Sequence, residues 1–153
     1  DDRAMLQQRL LRSLATLREQ DVVDAGQVAA IGFCFGGLCV LDIARTGEDL
    51  DGVVSFHGLF GAPGNTAGNR VRAKVLALHG WNDPMAPPDA VDGLASALTS
   101  MGADWKLHAY GNTMLSFTNP AANVSDMGTV YNANADRRSW QAMTNFLDEL
   151  FGA

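Results

Sequence analysis

The sequence has an excess of acidic residues, no long hydrophobic run and no leader-like start, and each of these features excludes a class of protein. Its 11 lysine and arginine residues stand against 17 acidic ones, a net charge of −6. This balance argues against a nucleic-acid or anionic-membrane partner, because both require a basic surface. No apolar stretch reaches the roughly 20 residues that span a bilayer. The start, Asp1-Asp2-Arg3, lacks the basic and apolar regions of a signal peptide.

Cysteine is scarce. The two cysteines, Cys34 and Cys39, are too few and too close together for a secreted disulfide framework. A reducing compartment is therefore predicted, and we expect the protein in the cytoplasm. The 153 residues, 47% of them hydrophobic, are enough to bury a sizeable core. We expect one domain over residues 1–153, and no metal or cofactor.

Apolar segments of strand length alternate with amphipathic segments of helix length along the chain. Helices are predicted over 3–19, 36–44, 88–101 and 136–151, and strands over 27–33, 52–56, 74–79 and 105–110. The segment 111–134 is predicted to be irregular. Such alternation predicts an α/β fold with about four parallel strands and flanking helices in three layers, α/β/α. In such a sheet, functional groups collect at the carboxyl ends of the strands.

The segment GFCFGG, residues 32–37, joins a predicted strand to a predicted helix and has the G-x-S-x-G pattern of a nucleophile elbow, with cysteine as the nucleophile. Glycines suit this turn because side chains do not fit beside the nucleophile. The N-terminus of the following helix favours the thiolate, which is the nucleophilic form. Cys34 is therefore the candidate nucleophile, and the N–H of Phe35 is the candidate oxyanion-hole donor. The alternative is a structural cysteine in a tight glycine turn, which is also how we interpret Cys39 within the helix.

A second candidate residue follows the third predicted strand, in the segment HGWNDP at 79–84. A carboxylate at this place can orient a catalytic imidazole and stabilise its charged form. The order Cys34…Asp83 is the order that such hydrolases use, with a histidine expected after the next strand. Alone, an aspartate before a proline is usually a turn or capping residue. Together with the elbow, it makes Asp83 the candidate triad acid.

The chain resembles the dienelactone hydrolase family, cysteine hydrolases of the α/β-hydrolase fold that open ester or lactone bonds. The matching segments are GFCFGG at 32–37, VVSFHG at 53–58, LALHGWNDPMAPP at 76–88, MLSFTNP at 114–120 and GTVYNANADRRSW at 128–140. The resemblance runs from about Gln27 to Phe151. It implies a small-molecule ester or lactone as substrate, Cys34 as nucleophile and Asp83 as triad acid.

The chain departs from the family pattern at the base. The resemblance implies a histidine in a segment M-H-x-F-T-N-P, and the aligned position holds Leu115, which cannot accept a proton. Three histidines remain in the sequence. His57 and His79 end predicted strands and are candidates for a substitute base, although similar FHG and LHG segments in relatives favour a structural role. His108 lies within a predicted strand and is the weaker candidate.

The second departure is length, because full family members have further strands before the elbow. We therefore expect a truncated α/β-hydrolase fold with an exposed sheet edge. Exposed apolar edges pair with other chains, so a homo-oligomer is expected, with domain swapping or a companion segment as alternatives. The leading functional hypothesis is an impaired ester or lactone hydrolase. The others are a non-catalytic binding protein that retains the fold and a redox-reactive thiol at Cys34.

Overall fold

A computed structural model of the chain describes residues 2–152. Its helices span Arg3–Arg18 (α1), Phe35–Arg45 (α2), Pro88–Ser100 (α3) and Ala133–Phe151 (α4). Its strands span Ala29–Phe33 (β1), Gly52–Phe56 (β2), Lys74–Gly80 (β3), Trp105–Tyr110 (β4), Asn123–Val124 (β5) and Thr129–Val130 (β6). None of the helices in this described range is long and apolar enough to cross a membrane.

Four strands form one sheet in the order β1-β2-β3-β4, and every neighbouring pair is parallel. The register places Ile31 beside Val54 and Val54 beside Leu76. All four carboxyl ends therefore lie at one edge of the sheet. The predicted α/β fold with about four parallel strands is confirmed.

The alternation of side chains along the strands divides the core into two layers. Val53, Val75 and Ala77 pack on one face of the sheet with apolar residues of α1, α2 and α3. Val54 and Leu76 belong to the opposite face, which α4 covers with side chains that include Phe146. Because successive strand residues point to opposite faces, this division follows directly from the near-continuous apolar strands. The three-layer arrangement is also as predicted.

The prediction for 111–134 is wrong in part. This segment contains the short antiparallel pair β5–β6 and a single 3-10 turn at Ser125–Met127. Strands of two residues are too short to show any periodicity, so the sequence pattern does not reveal them. Helix α4 also begins earlier than predicted, because the Asn132 side chain accepts the N–H groups of Asn134 and Ala135 and caps the helix.

β1 forms an open edge of the sheet. Its inner side is paired with β2, since Val28 O accepts the N–H of Asp51 and the N–H of Cys34 donates to Phe56 O. Backbone groups alternate in direction along a strand, so those of the residues between Val28 and Cys34 at odd positions point away from the sheet. The expected exposed edge is therefore present.

Candidate active site

The elbow is a strained turn between β1 and α2. Cys34 has φ 54° and ψ −116°, and its side chain is exposed. A Cβ on Gly32 would lie 2.0 Å from the carbonyl oxygen of Gly36, and one on Gly37 would lie 2.7 Å from Ser55 Oγ. Only glycine can therefore occupy these two positions, since real Cβ atoms do not approach other atoms so closely. The turn that the motif predicted is formed.

Phe35 is the first residue of α2, directly after Cys34. The first N–H groups of a helix have no acceptor within the helix. The Phe35 N–H is therefore free to donate to an oxygen bound next to Cys34, as an oxyanion-hole donor does. The positive end of the α2 dipole lies at the same place and favours a negative charge there.

His57 is held beside the elbow by two hydrogen bonds. Its Nδ1 accepts the backbone N–H of Cys34 at 3.2 Å, and its Nε2 lies 2.9 Å from Thr118 Oγ1. Since Nδ1 accepts, the ring proton is on Nε2 and is donated to Thr118. Burial lowers the pKa of His57 to about 4, so the ring is neutral near pH 7. Neither nitrogen is directed to the thiol.

The direction of the His57 side chain follows from its backbone. Its φ is 37°, a left-handed value that interrupts the alternation of β2. The ring packs against Phe33 and edge-on against Phe117, with centroids 6.1 and 5.1 Å away. His57 thereby connects the elbow to the loop that carries Thr118, two residues after Phe117's neighbour at 116.

His79 lies at the end of β3 and is completely buried. Neither ring nitrogen has a hydrogen-bond partner among residues 2–152, and the ring centroid is 5.1 Å from that of Phe60. Burial lowers the pKa of His79 to about 4. Its position continues the alternation of Val75 and Ala77, which face α1–α3. The structure gives His79 no contact with Cys34.

Asp83 has one satisfied and one unsatisfied carboxylate oxygen. Oδ1 accepts the N–H of Met85 at 2.8 Å, whereas Oδ2 is buried and has no partner among the described residues. Only 2% of the residue is exposed, and burial raises the pKa of this carboxyl group above its usual value. An unpaired buried carboxylate oxygen is costly, and it is an acceptor for any donor that reaches it.

Leu115 is 3% exposed and lies in the loop that passes Asp83. The loop is held there by two contacts: Asn82 donates its N–H to Thr113 O at 2.9 Å, and the Leu115 N–H donates to Gly128 O at 2.9 Å. Gly128 is itself packed so closely against Pro84 that a Cβ on it would lie 2.3 Å from Pro84 Cγ. An apolar side chain thus occupies the neighbourhood of Asp83 where the resemblance implies an imidazole.

The remaining candidates lie outside this arrangement. His108 is on β4 and lines a surface groove with Phe146 and Glu149 of α4. Cys39 is buried within α2 as predicted, and both cysteines are free thiols. Within residues 2–152, no group of three or more His, Cys, Asp or Glu side chains could hold a metal ion. Sequence reasoning missed Thr118, because no pattern distinguishes this threonine from others in a loop.

A parallel sheet with a strained nucleophile turn after one strand and a buried carboxylate after another defines the α/β-hydrolase class. The model of the dienelactone hydrolase family matches residues 2–151. The chain therefore belongs to the dienelactone hydrolase family.

Relatives of known sequence or structure agree with this assignment. The chain is 34% identical over 157 residues to the uncharacterized Caenorhabditis elegans protein K02A2.1, covering 99% of this chain and 98% of that one. It is 41% identical to a dienelactone hydrolase-like promiscuous phosphotriesterase from metagenomic libraries, with a TM-score of 0.89, and covers 99% of this chain and 64% of that one. A Bacillus cereus carboxylesterase shares the fold, with a TM-score of 0.71 at 15% identity over 98% of this chain and 62% of that one. The chain thus spans less than two thirds of the length of these two solved structures.

Proposed function

We propose that the chain is a carboxylic ester or lactone hydrolase that uses Cys34 as its nucleophile and turns over slowly because Leu115 occupies the place of the base. The observation that carries this proposal is the buried Oδ2 of Asp83, which has no partner next to Leu115. Such an oxygen destabilises the fold unless a donor uses it. It marks a triad acid whose imidazole is missing.

The proposed reaction has two steps that depend differently on a base. The Cys34 thiolate attacks the carbonyl carbon, a carbon–sulfur bond forms, and the carbon–oxygen bond to the alcohol breaks; the departing alkoxide takes a proton from water. The Phe35 N–H stabilises the oxyanion in this step. Hydrolysis of the resulting thioester requires attack by water, which a base normally activates. We therefore expect the acyl-enzyme to form and to persist.

The first experiment measures the acyl-enzyme directly. Intact-protein mass spectrometry after incubation with a p-nitrophenyl carboxylic ester is expected to show one acyl group on the chain and none on the Cys34→Ala variant. A parallel reaction with a phosphotriester extends the measurement to the ester class named for the metagenomic relative. An unmodified Cys34 in the folded chain would contradict the proposal.

The second experiment restores the base. Leu115→His is expected to raise turnover of the same ester by about 10²-fold or more, the contribution typical of general acid–base catalysis. Leu115→Asn, which is polar but not basic, is the matched control and should give no rise. In the Leu115→His background, Asp83→Asn should remove most of the gain, because the imidazole then loses the acceptor that orients it.

The second candidate function is that of a non-catalytic binding protein that retains the hydrolase fold. The packing of Leu115 and the engagement of both His57 ring nitrogens favour it, because neither residue is available for proton transfer. Absence of both acylation and gain in folded Leu115→His would support this function. Sulfenic acid formation at Cys34 without acylation would instead favour the redox thiol.

The predictions on setting are part of the same proposal. Residues 1–153 are proposed to act as one unit in the cytoplasm, and a homo-oligomer through the β1 edge stays a prediction. The structure sets a condition on that oligomer, because α1 stands beside the open edge. Analytical ultracentrifugation of the chain measures the number of copies.

A further inference from the structure

We propose that the space between β1 and α1 is a docking slot for one extended β-strand of a separate polypeptide, a strand that carries no helix on the side facing α1. This inference does not depend on ester hydrolysis. It rests on an apolar hollow, an unpaired strand edge and the position of one helix.

The hollow lies beneath α1 and has a volume of about 350 Å³. Leu10, Leu14 and Leu17 of α1 form one wall, and Val28 and Ala30 at β1 form another. Side chains of α2 close the far side. A space of this size and apolar lining fits two or three aliphatic or aromatic side chains, so its occupant is apolar on the side that enters it.

The edge beside the hollow offers backbone groups in strand geometry. The N–H and C=O groups of Ala29, Ile31 and Phe33 point away from β2, as the alternation of β1 requires. The side chains of Ile31 and Phe33, on the face opposite the hollow, are each 43% exposed. No residue of β1 is charged and none is proline, so the edge lacks the devices by which proteins prevent strand addition.

The position of α1 selects the kind of strand. Helix α2 packs on both β1 and β2, and α1 packs chiefly against α2. Neighbouring helices lie roughly 8–10 Å apart and neighbouring strands about 4.8 Å apart. α1 therefore stands over the ground just beyond β1, where an added strand would lie.

A second copy joined edge to edge at β1 does not fit this space. Its α2 would straddle its own β1 and β2 and lie about 10 Å from the first α2, by the same spacings. That is the place that α1 occupies. A bare strand has no such helix, and α1 covers its inner face. The structure therefore favours a bare strand over a second intact copy.

α1 is fastened at both ends, so it does not leave this place without loss of contacts. Arg3 donates to both carboxylate oxygens of Asp42 at 2.7 and 2.5 Å. At the other end of the helix, Arg18 pairs with Glu48 at 2.7 Å. These contacts hold α1 over the slot while leaving the space beneath it empty.

The probe for this proposal is a soluble peptide with the sequence of residues 28–33, VAAIGF, flanked by two lysines at each end and capped at both termini. This strand is uncharged in its centre, and one of its faces carries the isoleucine and phenylalanine that can fill the hollow. Hydrogen exchange of the full chain is measured with and without the peptide. We expect the amides of Ile31 and Phe33 to exchange at least tenfold more slowly with the peptide, as strand pairing requires.

A charge on the edge provides the test of location. Ile31→Lys places a lysine on an already exposed side chain and is expected to weaken peptide binding about tenfold or more. Met127→Lys, at a side chain that is 70% exposed and outside the slot, is the matched control and should bind as the unchanged chain does. A peptide with proline at its isoleucine position should bind poorly to both, because one backbone donor is lost.

Two results would overturn the proposal. One is unchanged exchange at Ile31 and Phe33 in millimolar peptide. The other is a dimer in analytical ultracentrifugation whose Ile31 and Phe33 amides are already protected, because a second copy would then be the occupant. Neither result bears on acylation of Cys34, so failure here is distinguishable from failure of the proposed activity.

Discussion

Cys34 is positioned by the glycines around it, and two of them differ in what their surroundings tolerate. Gly32 has no room for a Cβ, whereas a Cβ on Gly36 would meet nothing within 4 Å. We expect Gly32→Ala to lower the free energy of unfolding by about 3 kcal/mol or more, because the overlap is with backbone atoms. Gly36→Ala is the matched control within the same motif and should be neutral or stabilise by up to about 1 kcal/mol. Urea unfolding of the two variants measures the difference, and equal midpoints would contradict the packing described for the turn.

At this scale the sequence predicts positions better than directions. Cys34, Phe35 and Asp83 lie where the motif and the order of strands put them, since a turn between strand and helix leaves little freedom. The orientation of His57 could not be read from the sequence, because it depends on a left-handed φ in a residue that follows a regular strand. The unpaired Oδ2 of Asp83 could not be foreseen either, since it depends on which neighbours reach it.

The main polar contacts between elements meet at Asp42, a completely buried residue of α2. It pairs with Arg3 of α1 and lies 3.4 Å from the guanidinium of Arg45, whose other nitrogen donates to Phe60 O. One carboxylate thus joins α1, α2 and the loop after β2. Two arginines depend on a single acid, so loss of its charge leaves buried cations without a partner.

This cluster gives a prediction about how α1 is held. Asp42→Asn is expected to lower the free energy of unfolding by roughly 3–5 kcal/mol, the cost of breaking a buried pair from one side. Glu48→Gln, which removes the partly exposed partner of Arg18, should cost less than about 1 kcal/mol. Denaturant unfolding compares the two, and hydrogen exchange along α1 should rise in Asp42→Asn before the sheet is affected. Similar costs for both variants would show that the buried pair is not special.

The elements themselves were predictable where they are long. The apolar strands and the four helices follow from periodicity, but the start of α4 does not, because its N-cap Asn132 lies outside the periodic part. The pairing of Asp42 and Arg45 across one helical turn gave a signal that was not used. Charged residues within an otherwise apolar helix indicate a buried ion pair, since α2 has no exposed face to carry them.

For the molecule as a whole, the two buried histidines make stability depend on pH. His57 and His79 have pKa values of about 4 in the folded chain, against 6.5 in the unfolded one. As the pH falls below 6.5, the unfolded chain takes up these protons and the folded chain does not, so stability is lost progressively down to about pH 4. Burial raises the pKa of Asp83, which contributes with the opposite sign because the folded chain then holds its proton to a higher pH.

The contribution of His79 can be isolated by substitution. His79→Phe replaces a ring with two unpaired nitrogens by an apolar ring of similar shape, and it should be neutral or stabilising at pH 7. Between pH 7 and pH 4.5, the unchanged chain should lose about 2.5 kcal/mol more than the variant does, by the same linkage. Urea unfolding at both pH values gives this difference directly. A difference near zero would mean that the folded chain accepts a proton on His79.

The empty oxygen of Asp83 also bears on how far this chain stands from an active one in mutational terms. Leucine codons that begin with CU and end in a pyrimidine become histidine codons by one change at the middle base. The acceptor that would receive the new imidazole is already buried and unoccupied. No second substitution is needed to prepare it, so we expect a library of random single-base variants, selected for ester turnover, to be enriched at position 115.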